Sequence, residues 1–296
     1  MSWLLLTIAS AFLLGFYDYF KKVALRGNAV LPVLFGSTAV GTLVWLPFLV
    51  WSAWAPDSLP SKVLMVTGIS YHAHLLLFAK AALVGMSWLL GYYGIQSLPL
   101  SIATPIRATG PLWTIGFAVL LFHESPSPKQ WLGVVAILTS FFAFTFVGRN
   151  EGIHFHRNKG VFFMIGATLL GATSSLYDKF LMQKANLMPC QVQAWFTIYT
   201  TLILLPPLAF WLRLPGRKKF HWHWAIPAIG FTLLVADILY FTAIAQPDAL
   251  ISLISPVRRA SVIVFFLLGI FLFREKQLRA KGICIAGIIT GLVLLP

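Results

Sequence analysis

Three arginines stand where an arginine is costly. Arg107, Arg258 and Arg259 fall inside long apolar runs, each within one helical turn after a proline, Pro105 or Pro256. Lys80 and Asp237 sit within further apolar runs, and Asp18 and Asp178 near the ends of two more, in the short echoes Tyr17-Asp18 and Tyr177-Asp178. Guanidinium groups make forked hydrogen bonds to carboxylate and phosphate. The basic members (Lys80, Arg107, Arg258, Arg259 and Lys179) outnumber Asp18, Asp178 and Asp237, and in a low-dielectric cavity that surplus favours an anion. The expected site therefore takes a small anionic or zwitterionic solute, with Arg107 and Arg258 engaging the anion. Asp237 would hold an arginine when the site is empty, or bind an amino group or proton. Trp88, Tyr92, Trp195 and Tyr240 would supply aromatic walls, and Asp18 and Asp178 coupling or gating charges. A plainer reading stands beside this one: the arginines clamp the helix bundle through carboxylates such as Asp237, and Lys21, Lys22 and Lys80 reach toward the headgroups.

The arginine pattern occurs twice. When Leu98–Phe144 is laid on Pro247–Leu295, Thr104 falls on Ser255, Pro105 on Pro256, Arg107 on Arg258 and Glu124 on Glu275; after a short deletion, Gly133 meets Gly282. Internal duplication in a hydrophobic chain is a mark of repeat-built transporters. Glu124 and Glu275 lie in short links, where a carboxylate caps the next helix or pairs with a nearby base.

The elements that must position these residues follow from composition. Of 296 residues, 59% are hydrophobic and 10% charged, with 25 Phe and 11 Trp. A soluble domain carries about 25% charged residues, so the long apolar runs predict membrane spans. Ten helical spans are expected, at 2–25, 29–54, 72–97, 100–122, 127–148, 158–184, 188–212, 222–246, 249–273 and 278–295. Five spans per half is an odd number, so the halves insert with opposite orientation. The expected fold is all-α and polytopic, with ten transmembrane helices in two inverted five-helix repeats: 1–148, a linker at 149–157, and 158–296. On span 3, Ser87, Gly91 and Gly94 follow Lys80 on one face, allowing close helix approach or room for a ligand.

The formal charge of +14 does not point to nucleic acid, because most basic residues lie in short links. Lys21, Lys22, Arg26, Arg149, Arg157, Lys159, Arg213, Arg217, Lys218, Lys219, Arg274, Lys276, Arg279 and Lys281 fall on one side; Lys62, Lys129, Lys179 and Lys184 fall on the other. The positive-inside rule then puts both termini outside a cell inner (plasma) membrane. The two cysteines, Cys190 and Cys284, are not expected to pair. The pairs His72/His74, His154/His156 and His221/His223 read as interfacial histidines, and no metal or cofactor is expected. No nucleophile is matched to a base and no glycine loop cradles phosphate, which argues against an enzyme.

The run Ser87, Tyr93, Ser97, Pro105, Glu124, Gly133, with its echo Pro256, Glu275, Gly282, resembles the EamA-type branch of the drug/metabolite transporter superfamily. The resemblance covers both halves. It implies a central cavity lined by helices 1–4 and 6–9, with helices 5 and 10 peripheral, and cytoplasmic termini, opposite to the charge bias. Members are mostly exporters of small metabolites or amino acids, and relatives carry nucleotide sugars or sugar phosphates. The expected function is secondary transport of a small-molecule solute by alternating access, as an exporter or exchanger that sits in the lipid bilayer as a monomer or homodimer. A proton-coupled exporter of amphipathic or cationic compounds, with Asp237 and Asp18 carrying charge, and a non-transporting assembly subunit stay open.

Overall fold

The computed structural model describes residues 2–60, 64–97, 106–107, 109–146, 158–261, 264 and 278–294. Among them the chain forms α1 (Trp3–Leu25), α2 (Val30–Trp54), α3 (Tyr71–Ser97), α4 (Gly110–Phe122), α5 (Pro128–Phe146), α6 (Lys159–Gln183), α7 (Pro189–Arg213), α8 (Ala225–Ile244), α9 (Ile251–Arg259) and α10 (Leu278–Leu294), with no strand. Six of these, α1, α2, α3, α6, α7 and α8, hold a stretch long and apolar enough to cross a bilayer, and α4 is a shorter apolar helix. The protein is a polytopic membrane protein. Large apolar side chains such as Leu43, Trp54, Leu120 and Phe210 face outward, as lipid contact requires. Pro47, Pro206, Pro207 and Pro256 lie inside helices, tolerated where neighbouring helices cover the freed carbonyls.

The helices pair across the sequence midpoint. α1 packs along α8 and α3 along α6; α2 meets α7 and α8, α3 also meets α7, α4 meets α6 and α9, α1 meets α9, and α5 meets α10. Adding five to each helix number, and counting round from ten to one, returns these same nine pairs, the most extensive among the described residues; smaller contacts such as α7–α8 and α5–α9 have no comparable counterpart. The α1–α8 pair is antiparallel: Ser10 Oγ donates to the Ala236 carbonyl at 2.8 Å, and Asn28, just past α1, bonds His221, just before α8. The α3–α6 pair is antiparallel too: Ser87 Oγ donates to the Ala167 carbonyl at 2.8 Å, and Tyr177 Oη donates to the Leu76 carbonyl.

Small residues set these distances. A Cβ on Gly94 would lie 3.2 Å from the Met164 nitrogen and 3.3 Å from the Gly160 carbonyl oxygen, so at Gly94 the small face of α3 serves close helix approach. The α5–α10 contact is tighter still: a Cβ on Gly291 would come within 2.7 Å of the Gly133 carbonyl oxygen.

Glu124, between α4 and α5, does not cap the helix that follows it. It is buried and accepts from the Ile251 and Ser252 nitrogens at 2.9 Å each, from Ser252 Oγ and from Lys179 Nζ. One carboxylate thus caps the N-terminus of α9 and neutralises a lysine of α6, because the nearest unsatisfied N–H groups belong to a packed neighbour and not to its own next helix. Lys179, counted in the charge tally from sequence, is buried by this pairing and contributes nothing to a surface charge bias.

Candidate functional site: a charged cavity between the helices

Side chains from α1, α3, α6, α7, α8 and α9, with Arg107 just before α4, line a cavity of about 310 Å³. Asp18, Lys80, Trp88, Arg107, Asp178, Asp237, Tyr240, Arg258 and Arg259 all line it, as do Ser87 and Gly91. These residues are far apart in sequence, and the antiparallel packing of α1 on α8 and α3 on α6 brings them together.

The charges are arranged as pairs. Lys80, 2% exposed, does not reach toward the headgroups; it bonds Asp178, with Phe196 and Phe241 ring centroids 4.5 and 5.2 Å from its Nζ. Two buried charges are tolerable only when matched in this way. Tyr240 Oη donates to the other Asp178 oxygen at 3.2 Å. The Tyr240 ring lies 3.7 Å from the Arg258 guanidinium carbon, a cation–π contact, and Arg258 bonds Asp237 at 2.7 Å. Lys80, Asp178, Tyr240, Arg258 and Asp237 therefore form one polar chain joining α3, α6, α8 and α9. Along α1, Lys21 bonds Asp18 at 2.9 Å.

The expected anion ligands, Arg107 and Arg258, are differently placed. Both line the cavity, but Arg258 is already held by Asp237, as the clamp alternative required, while its neighbour Arg259 makes no ion pair or hydrogen bond among the described residues. Arg107 is likewise without one among the described residues. Arg259 interacts electrostatically with Arg107 and Asp18, and Asp18 with Arg107 and Arg259.

Trp195 is not among the wall residues. Its ring meets His74 edge-on with centroids 4.5 Å apart and stacks on Tyr199, because its position on α7 turns it toward the start of α3. The side chain of Tyr92 lies outside the described residues, as do Thr104, Pro105, Glu275, His154, His156 and the linker 149–157. Sequence reasoning missed Phe196, Ser174 and Ser175 as lining residues. An apolar or small residue on a buried helix carries no sign of which cavity it faces. Of the other histidines, His74 Nδ1 bonds Tyr199 Oη at 2.8 Å and His223 Nδ1 accepts from the Ala225 nitrogen at 3.1 Å. Both cysteines are free and buried.

A crystal structure of another protein matches this fold with a TM-score of 0.77 over 99% of this chain and 97% of that one, at 15% identity, a likeness of fold alone. The chain is also similar to proteins described as probable 4-amino-4-deoxy-L-arabinose-phosphoundecaprenol flippase subunits ArnE. The protein from Shigella flexneri serotype 5b is 34% identical over 67 residues, 22% of this chain. That from Escherichia coli strain 55989 is 34% identical over 67 residues, 23% of this chain. The chain spans 60% of the length of these relatives. Residues 1–146, just under half of the chain, match the EamA-like transporter family, the same family that the Pro, Glu and Gly pattern resembles.

Proposed function

We propose that this transporter moves a small anionic or zwitterionic metabolite across the cell's inner membrane by alternating access, as an exporter or exchanger built from two inverted five-helix repeats. The observation that carries the reading is the cavity itself, where more basic than acidic side chains converge on elements from both halves of the chain. Two supports for the repeat are the Pro/Arg/Glu pattern in the sequence and the helix pairings that map onto one another when shifted by five. The three ion pairs give the empty site a resting state. A bound anion competes with Asp237 for Arg258, and exchanging one carboxylate for another is the kind of two-state event that couples binding to movement.

The test is exchange in liposomes reconstituted with purified protein. Arg107→Ala is expected to abolish uptake of anionic metabolites while the variant stays monodisperse and folded. Uptake at the wild-type rate in Arg107→Ala would remove that residue from the site.

A second reading is favoured by the names of the relatives: the anion is the phosphate of a lipid-linked amino sugar, and the chain acts as one subunit of a flippase. Flipping of a fluorescent polyprenyl phosphosugar, in the absence of any soluble exchange, would select it.

A further inference from the structure

The charge that the solute carries can be counted from the cavity walls. The basic side chains among the described residues are Lys21, Lys80, Arg107, Arg258 and Arg259; the acids are Asp18, Asp178 and Asp237. Each acid is bonded to one base: Asp18 to Lys21, Asp178 to Lys80, Asp237 to Arg258. Arg107 and Arg259 are left over. Re-pairing does not change the sum, since Asp18 moved onto either arginine would free Lys21. The two guanidinium groups act on each other, and they come from different halves of the chain, one before α4 and one at the end of α9. Space beside Arg259 is kept by Gly110, where a Cβ would lie 3.2 Å from its Nη2.

Two like charges facing one cavity inside a helix bundle repel, and the repulsion is released only when both are matched. A monoanion leaves one positive charge uncompensated. A dicarboxylate spreads its two charges over separate groups, whereas neighbouring guanidinium forks suit several oxygens on one centre. We infer that the solute presents a compact doubly charged head, a phosphate monoester, to Arg107 and Arg259, and draws Arg258 from Asp237 as it binds. A phosphate monoester carries about −1.5 to −2 charges near neutral pH. This deepens the anion-transport reading and rests on it.

The experiment is counterflow of labelled inorganic phosphate in proteoliposomes at pH 7.5. The competitors are methyl phosphate (a dianionic monoester), dimethyl phosphate (a monoanionic diester) and acetate. Methyl phosphate is expected to compete at least about tenfold more strongly than dimethyl phosphate, a margin of roughly 1.4 kcal/mol. Arg259→Gln is expected to erase that margin and Arg259→Lys to keep it, a charge-selectivity change that mere loss of folding does not produce. A parallel arm follows fluorescent phosphatidic acid between leaflets. Its movement in wild type but not in Arg259→Gln, without soluble exchange, assigns the same dianionic head to a lipid. Acetate or dimethyl phosphate exchanging as well as inorganic phosphate in wild type overturns the dianion proposal and leaves the anion reading standing. No movement of soluble anions or of phosphatidic acid removes both.

Discussion

Lys80 and Asp178 are each a charge that a helix bundle rejects alone and accepts as a pair. The structure buries both and adds two aromatic faces and a tyrosine hydroxyl around them. Removing one partner strands the other in low dielectric, at a cost of about 3–5 kcal/mol. Lys80→Met is therefore expected to lower the thermal unfolding midpoint in detergent sharply, and Lys80→Met with Asp178→Leu to recover most of the loss. A single variant as stable as wild type would show that water reaches the pair. The same logic explains why sequence alone misplaces such a lysine. Its long stem permits reach toward a headgroup, and only the position of Asp178, nearly a hundred residues away, decides otherwise.

At the scale of elements, α9 is the short helix with the most to hold. It begins on Glu124 from the other half, carries Pro256 in its middle, and ends on Arg258 and Arg259 in the cavity. The Glu124 cap joins the link after α4 to α6 and α9 at once, so the carboxylate ties the two halves together at the end where α6 finishes. Glu124→Ala leaves Lys179 unmatched and two backbone N–H groups uncapped. A loss of about 3–5 kcal/mol is expected from the stranded lysine, since a buried charge without its partner is strongly destabilising. Glu124→Gln retains an acceptor for the cap and is expected to lose less. Comparison of the two unfolding midpoints separates the cap from the charge; equal losses would mean that the cap contributes nothing.

For the whole molecule, the open matter is which way it sits in the membrane. Arg26, Arg213, Arg217, Lys218 and Lys219 are exposed, and the Asn28–His221 bonds put the α1–α2 and α7–α8 links at one end of the bundle. Lys179 drops out of the opposite tally because it is buried. The positive-inside rule then expects that end in the cytoplasm and Ser2 outside. In a Cys190→Ala/Cys284→Ala background, a cysteine at Ser2 is expected to react with an impermeant maleimide on intact cells, and one at Gly216 only after lysis. The reverse pattern would give the chain the cytoplasmic termini that the family resemblance implies.

Hydropathy alone determined that this is a helical membrane protein and where most helices run, because apolar length is a local property that a bilayer reads directly. The sequence also singled out a set of ionisable residues, since a charge in an apolar run has no cheap explanation. It could not say who pairs with whom. Asp237 was legible as an arginine partner, but that it takes Arg258 and not Arg259 depends on rotations of α8 and α9 that no local signal encodes. Trp195 was misassigned for the same reason: its side chain meets His74 and Tyr199 instead of the cavity. Tertiary packing decided the pairing, because the energy of a buried charge is set by the distance to its nearest opposite, and that distance exists only after the helices have met.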